Sequence, residues 1–144
     1  MSSKSSKLVT VAALGVLTAA AGTTLGCRHS HVSGTSSTAT VLDAFKDNTF
    51  DVDMVKDVSP DGWSADHCVA GPVAGLEILV CEYETEQALA QGEKDVQREW
   101  DTVNVDTAVV LHKGRTMLAI ADRAKKDLGG KTTVHMLNVF RSLP

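Results

Sequence analysis

The sequence predicts an α+β fold: an antiparallel sheet of about five strands packed by helices. Three observations carry that expectation. Apolar residues alternate with period two over 51–58, and strand-length apolar segments occupy 63–73, 76–83, 107–112 and 115–121. Helical spacing governs 85–103 and the stretch from 132 to 143. Turn residues join these segments in sequence neighbours, as antiparallel strands require. The implied order is a short helix, a three-strand meander, a helix, a hairpin and a last helix, in one domain over residues 39–144.

Thr40, with Asp43 three residues on, suits the cap of a short helix through Asp47. Val41, Leu42 and Phe45 share one side of it, and Asn48 is a stop. From Asp51 the period becomes two. Val52, Met54 and Val58 alternate with Asp51, Asp53 and Asp57, and Lys56 is the one break in the apolar face. The aspartates do not follow EF-hand spacing, and alternation sets them on a solvated face rather than around calcium. Ser59-Pro60-Asp61-Gly62 reads as a turn in which Pro presets φ and Gly supplies positive φ.

Trp63–Val73 and Leu76–Tyr83 form the central hairpin. With Ala74-Gly75 as a two-residue turn, Cys68 falls directly opposite Cys81 at a non-hydrogen-bonded position, where side chains approach most closely. Pro72 falls at another such position, where its missing N–H costs the hairpin nothing. A Cys68–Cys81 disulfide follows, contributing about 3 kcal/mol in the chain-entropy model. Ala-Gly matches a type II turn better than the primed turns that hairpins prefer. The spacing is not C-x-x-C, so thioredoxin-like chemistry has no support. Asp66-His67-Cys68 is not a triad either, since neighbours on a strand point to opposite faces. The same register sets His67 across from Glu82.

Thr85 opens the strongest helix, with Ala88, Leu89, Gly92, Val96, Trp100 and Val103 on its apolar stripe. Gly92 in that stripe predicts close contact with the sheet, and Trp100 reads as a core anchor. Thr107–His112 and Arg115–Ala121 make a second hairpin around Lys113-Gly114. Val109 and Leu111 share a face with Leu118 and Ile120, but Ala108, Val110, Met117 and Ala119 make the other face apolar as well. Such strands are central ones covered on both sides, or present one face to a partner. Residues 122–130 form a charged loop, with Lys125 and Lys126 solvated and Gly129-Gly130 as breaker. Thr132 or Thr133 then caps a helix that sets Met136, Leu137, Phe140 and Leu143 toward the core.

The N-terminus has a different character. Lys4 and Lys7 precede an apolar stretch from Leu8 to about Ala21, closed by small residues. A basic n-region, an apolar h-region and small residues are the marks of a signal peptide. Thr24-Leu25-Gly26-Cys27 then resembles the box of bacterial lipoprotein precursors cut by signal peptidase II. The resemblance covers residues 1–27 only. It implies a signal peptide over 1–26, diacylglycerol on the Cys27 sulfur, further acyl chains at the new N-terminus, and a bacterial cell-envelope location on a membrane. Ala19-Ala20-Ala21 offers a rival site to the ordinary signal peptidase. Cysteine counting favours the lipid: with Cys27 acylated, Cys68 and Cys81 pair and no thiol is left over. Residues 27–38, rich in Ser, Thr and Gly, read as a lipid-anchored flexible tether. His29 and His31 lie within it, where no ligand is preorganised.

Composition excludes some functions. The chain carries −4; of its 14 Lys+Arg, loss of Lys4 and Lys7 with the leader leaves 12 against 18 Asp+Glu, or −6. An acidic chain without a basic cluster does not suit a phosphate backbone, so nucleic acid is not an expected partner. No catalytic residue, metal site or cofactor is assigned. The expectation is an anchored envelope lipoprotein with a non-catalytic domain that binds an envelope protein or serves a structural role. The alternatives are a periplasmic enzyme or metal carrier using His67, Glu82, His112 or His135, and a ligand-binding module with an apolar pocket beside Val110 and Met117.

Overall fold

The computed structural model describes residues 36–103 and 107–144. Five antiparallel strands build a single sheet: β1 (Lys56–Val58), β2 (His67–Val73), β3 (Leu76–Glu82), β4 (Ala108–Lys113) and β5 (Thr116–Ala121). Their spatial order is β1-β2-β3-β5-β4, so β3 and β5 are interior and β4 lies at an edge. Helices α1 (Thr38–Asp47) and α3 (Lys131–Ser142) cover one face, and α2 (Glu86–Thr102) covers the other. The α+β expectation therefore holds, with three helices on a five-stranded antiparallel sheet.

Two apolar layers follow from the period of two. Val69, Val73, Ile78, Val80, Leu118 and Ile120 face Val41 and Phe45 of α1 and Met136 and Phe140 of α3. Their neighbours along each strand, Cys68, Leu79, Cys81, Met117 and Ala119, face Leu89, Val96 and Trp100 of α2. β5 is buried along its whole length, which accounts for its apolar composition on both sides.

The central hairpin has the anticipated register, with Cys68 paired to Cys81 and His67 to Glu82. Its turn differs from the type II expectation. Ala74 and Gly75 both take positive φ, 51° and 85°, which is the sign pattern of a type I′ turn. Strand twist selects the primed turn even though Ala must then sit in the left-handed region.

Other boundaries move for identifiable reasons. α1 starts at Thr38 because Ser37, not Thr40, is the cap; its Oγ accepts from the Thr40 N–H at 3.1 Å. Ser36 and Thr38 are buried, so the fold reaches into the stretch read as tether. The strand expected from Asp51 shortens to Lys56–Val58, since Val55 N–H bonds to the Val52 carbonyl and closes a turn. That turn lies against Gly71, where a Cβ would come within 2.6 Å of the Met54 carbonyl oxygen. After Pro60 the chain makes a 3-10 turn over Asp61–Trp63, and positive φ falls on Ser64 rather than Gly62. Trp63 consequently precedes β2 instead of opening it. The second hairpin turns at Gly114-Arg115, one residue later than expected, with Gly114 at φ 58°. Gly at the first central position suits a type II′ turn. Val103, placed on the apolar stripe of α2 by spacing, is instead exposed beyond its end.

The N-terminus of α3 is held from a distance. Gly130 occupies the cap position at φ 65°, and the Asp127 carboxylate accepts from the N–H groups of Thr132 (3.2 Å) and Thr133 (2.8 Å). The buried Asp122 carboxylate in turn accepts from the N–H groups of Lys126 and Asp127. The charged loop is thus folded around two carboxylates that satisfy main-chain donors. The leader, the box ending at Cys27, and His29 and His31 lie outside the described residues.

Candidate functional site

Polar side chains converge at one end of the sheet, where the chain enters the fold. β2 delivers His67 there and β3 delivers Glu82, because the register sets the two opposite each other. β1, paired in turn with β2, brings Asp57 alongside. His67 Nε2 lies 2.8 Å from Asp57 Oδ1, and Nδ1 lies 3.1 Å from the Thr38 hydroxyl. A neutral imidazole protonated on Nε2 satisfies both contacts, donating to Asp57 and accepting from Thr38. Glu82 does not bond to His67. Its carboxylate accepts the main-chain N–H of Thr38, placing a negative charge at the positive end of α1.

Around this group the two ends of the described domain are joined. The Thr116 hydroxyl donates to the Ser36 carbonyl, and the Ser36 hydroxyl donates to the Pro144 carbonyl at 3.3 Å. Lys113 Nζ donates to the carbonyls of Arg141 (2.7 Å) and Leu143. Apart from the His67–Asp57 contact between β2 and β1, these contacts tie down the entry of the chain, the start of α1 or the end of α3.

Chemically, Asp57, His67 and Thr38 form an acid–base–hydroxyl line of the kind that activates a nucleophile. Two features work against that use. Thr38 is only 4% exposed, and the same residue is engaged through its N–H by Glu82. A shallow open groove does occur among the described residues, but Lys94, Gln97, Arg98, Asp101 and Thr102 of α2 line it, and none belongs to this cluster.

The remaining candidates are scattered. His112 Nδ1 meets Glu93 Oε1 of α2 at 2.5 Å. His135 stacks at a tilt near Phe50, 5.0 Å between ring centres. No group of three or more His, Cys, Asp or Glu side chains with metal-binding geometry occurs among the described residues. The space beside Val110 and Met117, weighed as a ligand pocket, is occupied by the α2-side core: Met117 is fully buried and accepts the Tyr83 hydroxyl at 3.7 Å. Burial, reinforced by the charges of Glu93 and Asp95, holds the Tyr83 phenol well above its ordinary range, so it acts as a donor and not as a base.

Cys68 and Cys81 form a disulfide, fully buried beneath α2. Sequence reasoning found this pair and the His67–Glu82 juxtaposition through the hairpin register. It missed Thr38 and Asp57. Both belonged to segments read as tether and solvated strand face, and only the packing of α1 and β1 against β2 brings them to His67. Comparison with known protein families, with characterised proteins and with solved structures finds no match to this chain.

Proposed function

We propose that this protein is an exported lipoprotein, anchored to a membrane through Cys27, whose domain binds an envelope partner or acts structurally without catalysis. Cysteine pairing is the observation that carries the reading. The Cys68–Cys81 disulfide accounts for two of the three cysteines and belongs to an oxidising compartment, which leaves Cys27 as the acyl acceptor at the end of the leader. From Cys27 to the buried Ser36 the chain can extend about 30 Å at most, so the domain is held near the lipid surface. Among the described residues, His67, His112 and His135 each engage a different local partner, which supports a non-catalytic role.

The test is the intact mass of protein extracted from membranes, with and without reduction and alkylation under denaturing conditions. The reading expects residues 27–144 plus acyl chains, with Cys68 and Cys81 alkylated only after reduction. An unacylated chain beginning at Gly22, or thiols free without reductant, rejects it.

The Asp57–His67–Thr38 line favours a second reading, a hydrolase with Thr38 as nucleophile. Covalent capture of a fluorophosphonate probe at Thr38, lost in His67→Gln, would establish it; an unlabelled Thr38 removes it.

A further inference from the structure

We propose that a second copy of this chain pairs with the open edge at β4, joining two five-stranded sheets into one antiparallel sheet about a two-fold axis at Val110. The argument begins with a mismatch between composition and place. Ala108-Val109-Val110-Leu111 is a run suited to the interior of a sheet, yet β4 lies at its edge. Proteins protect edge strands by shortness, charge, proline or bulges. The opposite edge, β1, has such protection: three residues long, it carries exposed Lys56 and Asp57. β4 has six residues, no proline, and a single Lys or Arg at its end.

Main-chain geometry gives the direction in which each peptide group of β4 points. The Asp122 N–H donates to the Thr107 carbonyl at 3.1 Å, so residues 107, 109, 111 and 113 turn their peptide groups toward β5. Ala108, Val110 and His112 turn theirs outward, and no described strand pairs with that side. The edge is also held in place. His112 is bonded to Glu93 of α2, and Lys113 to carbonyls at the end of α3.

The sequence of β4 is complementary to itself. About a two-fold axis, Val110 meets Val110 and Ala108 meets His112 as hydrogen-bonded pairs, which uses every outward N–H and C=O of the strand. Val109 meets Leu111 at the close, non-hydrogen-bonded position, and Lys113 meets Thr107. Val110 faces Val110 and Val109 faces Leu111, and no like charges are opposed. This proposal does not depend on how the chain is moored.

Sedimentation equilibrium of the full chain in density-matched non-ionic detergent tests it. The expected mass is that of two chains at micromolar concentration. Val110→Pro removes an outward N–H and no ladder bond to β5, and should weaken the dimer by roughly a hundredfold or more, with the near-ultraviolet dichroism of the domain retained. Should that variant fail to fold, Val110→Cys decides: oxidation should cross-link it above the wild-type background, while Lys56→Cys on the other edge should not cross-link. A single-chain mass at every concentration overturns the proposal. So does a dimer that Val110→Pro leaves intact, or one cross-linked through Lys56→Cys and not Val110→Cys.

Discussion

Ala74 and Asp127 show how much single side chains matter in this fold. Ala74 sits at φ 51°, where a Cβ costs on the order of 1 kcal/mol, while its neighbour Gly75 accepts positive φ freely. Ala74→Asn restores the Asn-Gly pair that type I′ turns favour and should raise stability by about 1 kcal/mol, read as a higher melting temperature. Asp127 has the opposite character. Hydrogen bonds from the main-chain and hydroxyl groups of Thr133, and from Thr132, outweigh desolvation and hold its carboxyl below the usual range. A depressed carboxyl contributes stability that is fully present above its unfolded pKa and is lost as pH falls through the folded value. Asp127→Ala should therefore cost about 1 kcal/mol at pH 7, as loss of a cap does. The gap to wild type should begin to narrow below about pH 4 and go on closing as pH falls through the lower folded value. Urea denaturation of both proteins at the two pH values checks this.

Among the elements, α2 depends most on one glycine. A Cβ at Gly92 would lie 2.6 Å from the Trp63 carbonyl and closer still to the Tyr83 hydroxyl. Alanine is the better helix former by about 1 kcal/mol, but here it forces α2 away from Trp63 and Tyr83, which flank the strands. Overpacking of this kind costs about 1–3 kcal/mol. Gly92→Ala should thus destabilise the domain despite its favourable propensity, with a lower denaturation midpoint and a changed near-ultraviolet signal from Trp63 and Trp100. The absence of both effects would mean that α2 does not rest on Tyr83. The helix also shows why spacing overreached: Val103 continues the stripe in sequence, but the helix ends at Thr102, so no sheet lies beneath it.

For the domain as a whole, the disulfide and the contact between its entry at Ser36 and its exit at Pro144 are the main constraints. Cys68 and Cys81 close a short loop in a domain of about a hundred residues, whose core is modest. Cys68→Ala with Cys81→Ala should cost about 3 kcal/mol, a large share of the stability of so small a domain. In the native protein both sulfurs are fully buried, so reduction should need partial unfolding and should be faster in mild denaturant. Ser36, Thr116 and Pro144 tie entry and exit together at one end of the sheet. Tension applied to the chain at Ser36 would therefore reach β5 and Pro144, just past the end of α3, directly. Thr116→Val should lower stability by about 1 kcal/mol through loss of the buried hydrogen bond to Ser36, measured by thermal melting.

Local patterns determined the fold class, the element order and the Cys68–Cys81 register. Each rests on a period, a turn or a pairing sum carried within about twenty residues, where local physics is decisive. Only the tertiary structure decided the rest. Gly92, expected against the sheet, lies instead against Trp63 and Tyr83 beside it. Ser37 displaces Thr40 as cap because Thr38 is drawn into contacts with Glu82 and His67. The strand expected from Asp51 is cut short because its first half turns across Gly71. Asp57 and Thr38 join His67 through strand and helix packing that no sequence spacing encodes. Strand order belongs to the same class: β4 and β5 are nearly equal in apolar content, yet β5 is interior and β4 is the edge. Pattern reports how apolar a strand is, whereas its neighbours are set by how the whole chain is wound.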